Sequence, residues 1–481
     1  MKDLKMYIGG KFVAESHSKQ WIDVLNPSTE EVISRQPAGD EYDTDQALKA
    51  ARAAQGAWAA TPAVERAKYL NRIADGIRRR NDEFVDIIMR EQGKTLSWAQ
   101  TEVAVTAEYF DYMATFARHI EGEVIPSDRR GETIILTKRP IGVVGGILPW
   151  NFPFFLIARK AGAAMIAGCT IVIKPSQLTP ENCTTFAEVA DEAGVPAGVI
   201  NIVTGRGSVV GDHIASSPLI DIVSVTGSVG AGQSIMAAAS KNITKVSLEL
   251  GGKAPAIVFP DADLEKAAQW ILDSRIGNNG QICNNAERVY VHKDIKKEFT
   301  DILLKKFQAV KVGDPCADHT VDMGPLVEKR ALESVEAKVA KAIQQGAKVL
   351  CGGQRVGTKG YFYPATLLDC CTQQMDIVHE ETFGPVLPIV EFTDTDQVIA
   401  WANDVEYGLA SSVFTSNIDT AAKVCRNLQF GETYVNREHF EAMQGFHAGI
   451  KKSGIGGADG KHGIDEYLVT HVTYLDTHYD E

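Results

Sequence analysis

The chain has 481 residues, with 49 Lys and Arg against 62 Asp and Glu for a net charge of −13, and it is 44% hydrophobic and 23% charged. That is the balance of a globular chain of roughly three domains, and it excludes disorder and fibrous repeats. The acidic surplus argues against nucleic acid or an anionic membrane as partner, since both call for clustered Lys and Arg.

In chain order, Met1-Lys2-Asp3-Leu4-Lys5-Met6 runs into folded-looking sequence without the apolar stretch of a secretion signal. Met6-Tyr7-Ile8 and Lys11-Phe12-Val13 flank Gly9-Gly10, which predicts a hairpin. Two helical stretches follow. In the second, Leu70, Ile73, Ile77, Phe84 and Ile88 recur at helical spacing and Gly93 supplies a stop. From about residue 141, short β-branched runs (141–148, 170–173, 199–203, 221–225, 246–250) alternate with helix-like segments. Such alternation predicts βαβ units and a parallel sheet, and runs that are apolar throughout predict strands covered on both faces. The most apolar stretch, 161–173, is too short and too glycine-rich for a membrane span.

A second α/β series begins after Gly251-Gly252, with strands expected at 256–259, 288–292, 386–391, 409–415 and 432–436. Two further β-prone segments, 132–138 and 467–475, belong to neither series. A strand after the last domain needs an edge to pair with, supplied by another subunit or by the same chain. The eight cysteines show no CxxC spacing and no disulfide framework, which suits a reducing cytoplasm. No spaced ligand set appears among the eleven histidines, so no metal site is expected.

Several positions carry residues that chemistry could use. The strand at 222–226 leads into Gly227-Ser228-Val229-Gly230-Ala231-Gly232 and a helix-like segment. This arrangement can present backbone N–H groups to a pyrophosphate, or it can be a plain turn; Gly205-Arg206-Gly207 with Gly211 is equally open. Lys174, at the end of an apolar strand and before Pro175, points either into a ligand crevice or into solvent. Asn151, between Pro149 and Pro153, can be a preorganised oxyanion donor or the cap of the next helix. Glu249, a carboxylate in an apolar strand, is expected to have a raised pKa suited to a general base, or else to be satisfied by local amides. Cys283 alone among the cysteines lies in a Gly/Asn-rich polar loop, 277–286, where a thiol is reachable as a nucleophile.

The ordered set Pro149-Trp150-Asn151, Lys174-Pro175-Ser176, Gly227-Ser228, Glu249-Leu250-Gly251-Gly252-Lys253, Gly280-Gln281-Ile282-Cys283 and Glu380-Glu381-Thr382-Phe383-Gly384-Pro385 resembles the aldehyde dehydrogenase superfamily over essentially the whole chain. The resemblance implies an α/β fold of three parts: a doubly wound, Rossmann-like coenzyme domain (1–120 and 142–250, with a return at 448–465), an α/β catalytic domain (251–447), and a β-strand oligomerisation arm (121–141 and 466–481) that builds dimers or tetramers. It implies Cys283 as the nucleophile that forms a thiohemiacetal and then a thioester, Asn151 as oxyanion donor, and Glu249 as activator of the hydrolytic water. A glutamate at 249 favours release of a free acid over transfer to coenzyme A. NAD is implied as coenzyme, with contacts from Trp150, Lys174, Ser176, Gln177, Gly207, Gly227, Ser228, Leu250, Glu381 and Phe383. Where NAD-preferring members usually carry Glu, this chain has Gln177. Loss of that charge removes the repulsion of a 2′-phosphate, so NADP should be tolerated better than usual.

Arg159 lies about two helical turns beyond Asn151, where many relatives acting on apolar aldehydes have an aromatic residue. The loop 436–449 adds Glu441 and His447, and Phe152 and Asn284 complete the expected substrate contacts. A funnel with Arg, Glu and His suits a hydroxyl that both donates and accepts. The runs 149–160 and 432–463 resemble bacterial members acting on lactaldehyde or glycolaldehyde. Alternatively, the charges could sit at the mouth and only pair with one another. Other readings are a semialdehyde dehydrogenase, with Arg159 anchoring the substrate carboxylate, a cofactor-independent thiol esterase, and a structural protein without chemistry.

Overall fold

The computed structural model describes residues 1–477, so positions 478–481 of the expected arm lie outside the described residues. Two central sheets dominate it. The first has eight strands in the order Gly454–Ile455, Lys245–Glu249, Ile222–Thr226, Val143–Ile147, Thr170–Lys174, Ile200–Ile202, Met6–Ile8 and Lys11–Val13. Its five middle strands are parallel and the outer ones join antiparallel. From Val143–Ile147 the chain first builds outward through 170–174 and 200–202. It then returns to the other side through 222–226 and 245–249, which places the topological switch point between Val143–Ile147 and Ile222–Thr226.

Alternate residues of these strands serve opposite faces, as the doubly wound fold demands. Val144, Ile171, Ile173 and Ile222 pack with Leu70, Ile73, Phe110, Met113 and Ile157, from the helices Ala63–Arg79, Leu96–Thr115 and Phe155–Ala167. Val143, Val172, Val223 and Val225 pack with Leu48, Ile214 and Ile235 on the other side. Gly9 and Gly10 take φ of +58° and +78°, the left-handed pair that a two-residue hairpin requires.

The second sheet has seven strands in the order Lys348–Cys351, Thr366–Cys371, Val386–Phe392, Ala286–His292, Ala254–Val258, Ala410–Phe414 and Glu432–Val435; all but the first are parallel. It too is covered on both faces, by the helices Lys329–Gln344 and Thr395–Asn403 on one side and Leu264–Ile276 and Lys296–Gln308 on the other. A three-stranded sheet, Leu468–Asp476, Glu132–Pro140 and Glu123–Pro126, stands apart.

The expected strands are present with ends moved by a few residues, but three expectations change. The two helical stretches become four helices, Glu41–Ala60, Ala63–Arg79, Asn81–Gln92 and Leu96–Thr115. The periodic run from Leu70 to Ile88 breaks at Arg80, whose φ/ψ of −104°/22° leaves the helix. The strands Lys348–Cys351 and Thr366–Cys371 were not anticipated, nor was a small sheet of Lys2–Asp3, Val32–Pro37 and Trp21–Leu25. The final strand finds its edge within its own chain, pairing antiparallel with Glu132–Pro140 from Leu468↔Pro140 to Asp476↔Glu132. Among the described residues no helix is long and apolar enough to cross a membrane.

Candidate active site

The first sheet presents the carboxyl ends of its strands to a crevice and the second presents amino ends to the same crevice. From the first come Asn151 after Val143–Ile147, Lys174, Gly227-Ser228 after Ile222–Thr226, and Glu249. From the second come Cys283 just before Ala286–His292, Gly251–Lys253 before Ala254–Val258, and Glu381–Phe383 before Val386–Phe392. Asn151, Phe152, Arg159, Glu249, Cys283, Asn284 and Glu441 line one cavity there, walled also by Trp98, Phe155, Met443 and Phe440.

The Gly/Asn-rich loop that carries Cys283 is clamped. Asn278 and Asn279 hold left-handed φ of +46° and +60°, a conformation that Asn tolerates because its short side chain bonds locally. Asn279 Nδ2 donates to Pro325 O at 2.7 Å, its Oδ1 accepts from Gly324 N at 2.7 Å, and Asn278 Nδ2 donates to Asn151 O at 2.9 Å. Gly280 (φ +76°) passes so close to Gly384 that a Cβ would sit 2.4 Å from its carbonyl carbon and oxygen. Arg275, from the preceding helix, donates to Gly280 O at 2.6 Å and Ala286 O at 2.9 Å and pairs with Glu287 at 2.9 Å. Cys283 is thereby held half-buried at the cavity wall.

Asn151 does not cap the next helix. Phe154 occupies that position, while Asn151 Nδ2 donates to Gln281 O at 3.0 Å, which ties the expected oxyanion donor to the nucleophile's own loop. An amide nitrogen carries two hydrogens, so one is left for a ligand.

Glu249 departs from expectation in one respect. Its carboxyl is held below the ordinary range instead of above it. Burial pushes it up, but Lys160, Arg159 and His447 are nearby cations and Thr226 Oγ1 donates to Oε2 at 3.1 Å, and together these prevail.

Arg159 is buried beneath three carboxylates. Its Nε and Nη2 bind Asp459 at 3.1 and 2.7 Å, Nη2 also reaches Glu441 at 3.0 Å, and Nη1 lies 3.7 Å from Glu249. Glu441 accepts in turn from Asn284 Nδ2 at 2.7 Å. The charges therefore do pair with one another, but inside the cavity rather than at its mouth. Among the expected substrate residues, His447 is the exception. It is not among the residues that line the cavity, and its Nδ1 lies 2.7 Å from Glu432 Oε1.

Sequence reasoning missed Asp459, Glu432 and Glu102. Glu102, whose Oε2 pairs with Lys94, accepts from Phe154 N at 2.9 Å and Phe155 N at 3.1 Å. It thus anchors the helix that carries Arg159. Lys94 also stands 3.6 Å over the Phe152 ring. Asp459 holds φ +72° within the run 456–460, where it is the one acidic residue among small ones; that is the signal that could have revealed it.

On the coenzyme side, Lys174 is buried and burial alone drives its ammonium down to about 8, with no carboxylate beside it. Ser228 caps the helix Val229–Ala239, its Oγ accepting from Ala231 N at 3.2 Å, and Gly227 N is bonded to Glu249 O at 3.0 Å. A buried cation ending Thr170–Lys174 and a helix N-terminus after Ile222–Thr226, on strands to either side of Val143–Ile147, fit an anionic dinucleotide.

Leu250 is buried at the head of the turn and donates its N–H to Ser453 O at 2.8 Å. Ser176 Oγ accepts from Leu178 N at 3.2 Å, and Gln177 O accepts from Gln36 Nε2 at 2.8 Å. Gly207 opens a single turn, Gly207–Gly211. Trp150 meets Phe383 edge-on at 5.4 Å. Glu381 accepts from Gly252 N at 2.8 Å; a Cβ on Gly251 would fall 2.5 Å from its Oε2, so a side chain there would displace the carboxylate. Burial and repulsion from Glu287 push Glu381 up to about 7. Glu287 itself is drawn down to about 2, because Arg275 and Lys253 outweigh its burial. It also fixes the turn at 382–383 through its bonds to Thr382 N at 2.9 Å and Phe383 N at 3.2 Å.

A thiol, an amide donor and a carboxylate line one cavity beside the switch point of a doubly wound sheet, the groups that a dehydrogenase working through a cysteine would need. The sequence model of the aldehyde dehydrogenase family matches residues 12–473, and the chain belongs to that family. It is an NAD(P)-dependent aldehyde dehydrogenase. It is 57% identical to lactaldehyde dehydrogenase of Escherichia coli over 98% of each chain. The crystal structure of lactaldehyde dehydrogenase from Escherichia coli superposes with a TM-score of 0.98 at 56% identity, covering 99% of this chain and 100% of that one. The D-glyceraldehyde dehydrogenase (NADP(+)) of Thermoplasma acidophilum is 38% identical over 98% of this chain and 96% of its own.

Proposed function

We propose that this enzyme oxidises a small hydroxyaldehyde, lactaldehyde or glycolaldehyde, to its carboxylic acid. The observation that carries this reading is the state of Arg159. With Asp459 bidentate on it and Glu441 sharing Nη2, only Nη1, 3.7 Å from Glu249, is without a hydrogen bond, and an anionic aldehyde approaching it would meet three carboxylates. A neutral hydroxyl suits the cavity better. Asn284 Oδ1 and His439 Nε2 are buried among its lining residues without partners. His439 is neutral, since burial, Arg275 and Arg437 lower its pKa to about 3. Ser274 Oγ accepts from Ala286 N at 2.9 Å, which leaves its own hydrogen for His439 Nδ1 at 3.1 Å, and in that tautomer Nε2 carries the ring hydrogen. One acceptor and one donor match one hydroxyl.

In this reading Cys283 Sγ attacks the aldehyde carbon. The oxyanion that forms is held by Asn151 Nδ2 and the Cys283 backbone N–H. NAD or NADP, when bound, supplies the hydride acceptor that turns the thiohemiacetal into a thioester. Glu249, kept ionised by Lys160, Arg159 and His447, takes a proton from the water that hydrolyses it. Lys174, Ser176, Gln177 and Gly207, with Gly227 and Ser228, hold the adenosine and pyrophosphate side. Glu381, Phe383, Trp150 and Leu250 hold the nicotinamide side.

The eight-stranded sheet belongs to a coenzyme unit of 1–120 and 142–250 with the return at 448–465, and the seven-stranded sheet to a catalytic unit of 251–447. The remaining sheet forms an arm, 121–141 and 466–481, through which copies of this cytoplasmic enzyme assemble. The test is formation of reduced coenzyme with lactaldehyde, propionaldehyde and succinate semialdehyde. We expect kcat/KM for lactaldehyde to exceed that for propionaldehyde by about a hundredfold, Arg159→Leu to abolish the difference, and NADP to be used alongside NAD. A semialdehyde as best substrate would overturn the substrate, and a strict NAD preference would overturn the role of Gln177.

A further inference from the structure

Four residues beyond Cys283, the strand Ala286–His292 carries a carboxylate that takes no part in the chemistry above. Ala254 pairs with Ala286 and Pro255 with Arg288, so Glu287 is the extra residue of a β-bulge, without a partner in Ala254–Val258. A bulge re-aims the side chain it carries. Here the side chain is buried and meets three segments at once. Its Oε2 accepts from Lys253 Nζ at 2.7 Å and from Thr382 N at 2.9 Å. Its Oε1 accepts from Phe383 N at 3.2 Å and pairs with Arg275 at 2.9 Å. Lys253 Nζ also reaches Thr382 Oγ1 at 3.3 Å.

These three segments hold the groups that must meet. Lys253 closes the turn after Glu249, and that turn lies against the nucleophile: a Cβ on Gly252 would fall 2.4 Å from Cys283 O. Arg275 braces the Cys283 loop through Gly280 O and Ala286 O. Thr382 and Phe383 belong to the turn that carries Glu381, on the nicotinamide side. Their N–H groups have no other acceptor among the described residues. The loop 277–286, by contrast, has clamps at Asn278 and Asn279 that do not involve Glu287.

We propose that Glu287 is a positioning residue for hydride transfer, holding the Glu381–Phe383 turn in a fixed place against the Cys283 loop. In that step the C–H bond of the Cys283 thiohemiacetal breaks, the hydrogen leaves with its electron pair for the bound coenzyme, and the thioester carbonyl forms. The aldehyde carbon is oxidised and the coenzyme reduced, while Glu287 exchanges no proton and touches neither. A carboxylate suits this place because its two oxygens take two cations and two amides and it has no hydrogen to set against them. A glutamine there keeps one acceptor oxygen and turns an NH2 toward donors.

The inference rests on the places proposed above for Cys283 and the nicotinamide, and the measurements keep the two apart. In the coenzyme-free, full-length protein, amide hydrogen exchange read by mass spectrometry follows peptides covering 380–385 and 277–286. We expect Glu287→Gln to speed exchange in 380–385 by about tenfold and to leave 277–286 as in the parent. At saturating NAD, the single-turnover burst of reduced coenzyme from lactaldehyde should fall about a hundredfold and slow further with deuterium at the aldehyde carbon. Hydrolysis of p-nitrophenyl acetate without coenzyme, which calls on Cys283 but on no hydride, should stay within about twofold of the parent. Glu287→Asp keeps the buried charge and should show each effect to a smaller extent. It carries the test if Glu287→Gln lacks the parent's circular dichroism. Unchanged exchange at 380–385 in the variant that folds, a burst insensitive to deuterium, or ester hydrolysis that falls as far as the burst would overturn the inference. Aldehyde oxidation retained in Cys283→Ser, or NAD bound by Glu381→Gln as tightly as by the parent, would instead overturn the reading beneath it.

Discussion

Lys174 and Glu249 both end buried parallel strands, and their neighbours drive them to different protonation behaviour. Lys174 has no carboxylate beside it, so burial dominates and its ammonium deprotonates near 8. Binding an anionic coenzyme favours the charged form, and above that pH a proton must be taken up on binding. NADP affinity should therefore weaken as pH rises through about 8, by up to about tenfold per unit. In Lys174→Met the dependence should vanish, as coenzyme fluorescence titration would reveal. Folding follows the opposite sign: between about 8 and the unfolded value of 10.5 the unfolded chain binds more protons, so this residue's contribution to stability rises with pH.

At this scale the sequence was legible where local context decides placement: Cys283 and Asn151 do line one cavity. It was not legible where distant charges converge. The direction of the Glu249 shift depends on Lys160, Arg159 and His447, which reach it from other segments, and no local pattern announces them.

The helix Phe155–Ala167 shows how an element can position a side chain from its far end. No side chain of its own caps it. The first-turn N–H groups of Phe154 and Phe155 go instead to Glu102 Oε1, whose other oxygen pairs with buried Lys94. Glu102→Ala leaves a buried ammonium and two amides unpaired. We expect it to cost about 3–5 kcal/mol by chemical denaturation and to lower kcat/KM for the hydroxyaldehyde by letting Arg159 drift. Glu102→Gln, which keeps an acceptor for the amides, should lose less. The helix itself was visible in the sequence, between the proline-bracketed turn and the Gly168 that ends it. Its anchor was not, because Glu102 lies in Leu96–Thr115, a helix that periodicity did not bring out.

Across the whole molecule, the alternation of strands and helices was enough to indicate two parallel sheets, since uniformly apolar strands and helix-length connections leave few other arrangements. It did not reveal that the last strand pairs with 132–140 of its own chain. Register of that kind is set by chain path, not by composition. The three-stranded sheet still exposes Val124, Val472 and Tyr474, side chains that a second copy would cover. Val472→Glu with Tyr474→Lys should reduce the sedimenting mass to that of one chain, and an unchanged mass would place the assembly surface elsewhere.

The short strand Gly454–Ile455 lies antiparallel to Lys245–Glu249 at the edge of the first sheet, with Gly454 opposite Glu249. A few residues later the same segment delivers Asp459 to Arg159, across 300 positions of sequence. A ribosome making this protein must therefore finish every other strand of both central sheets before that edge strand and the arginine's chief counter-ion emerge. Until then Arg159 is a cation in an apolar helix with only part of its compensation. Nascent chains and truncations ending before 454 would carry the cysteine, the asparagine and the glutamate without a completed site, so enzymatic competence comes at the close of synthesis and cannot precede it.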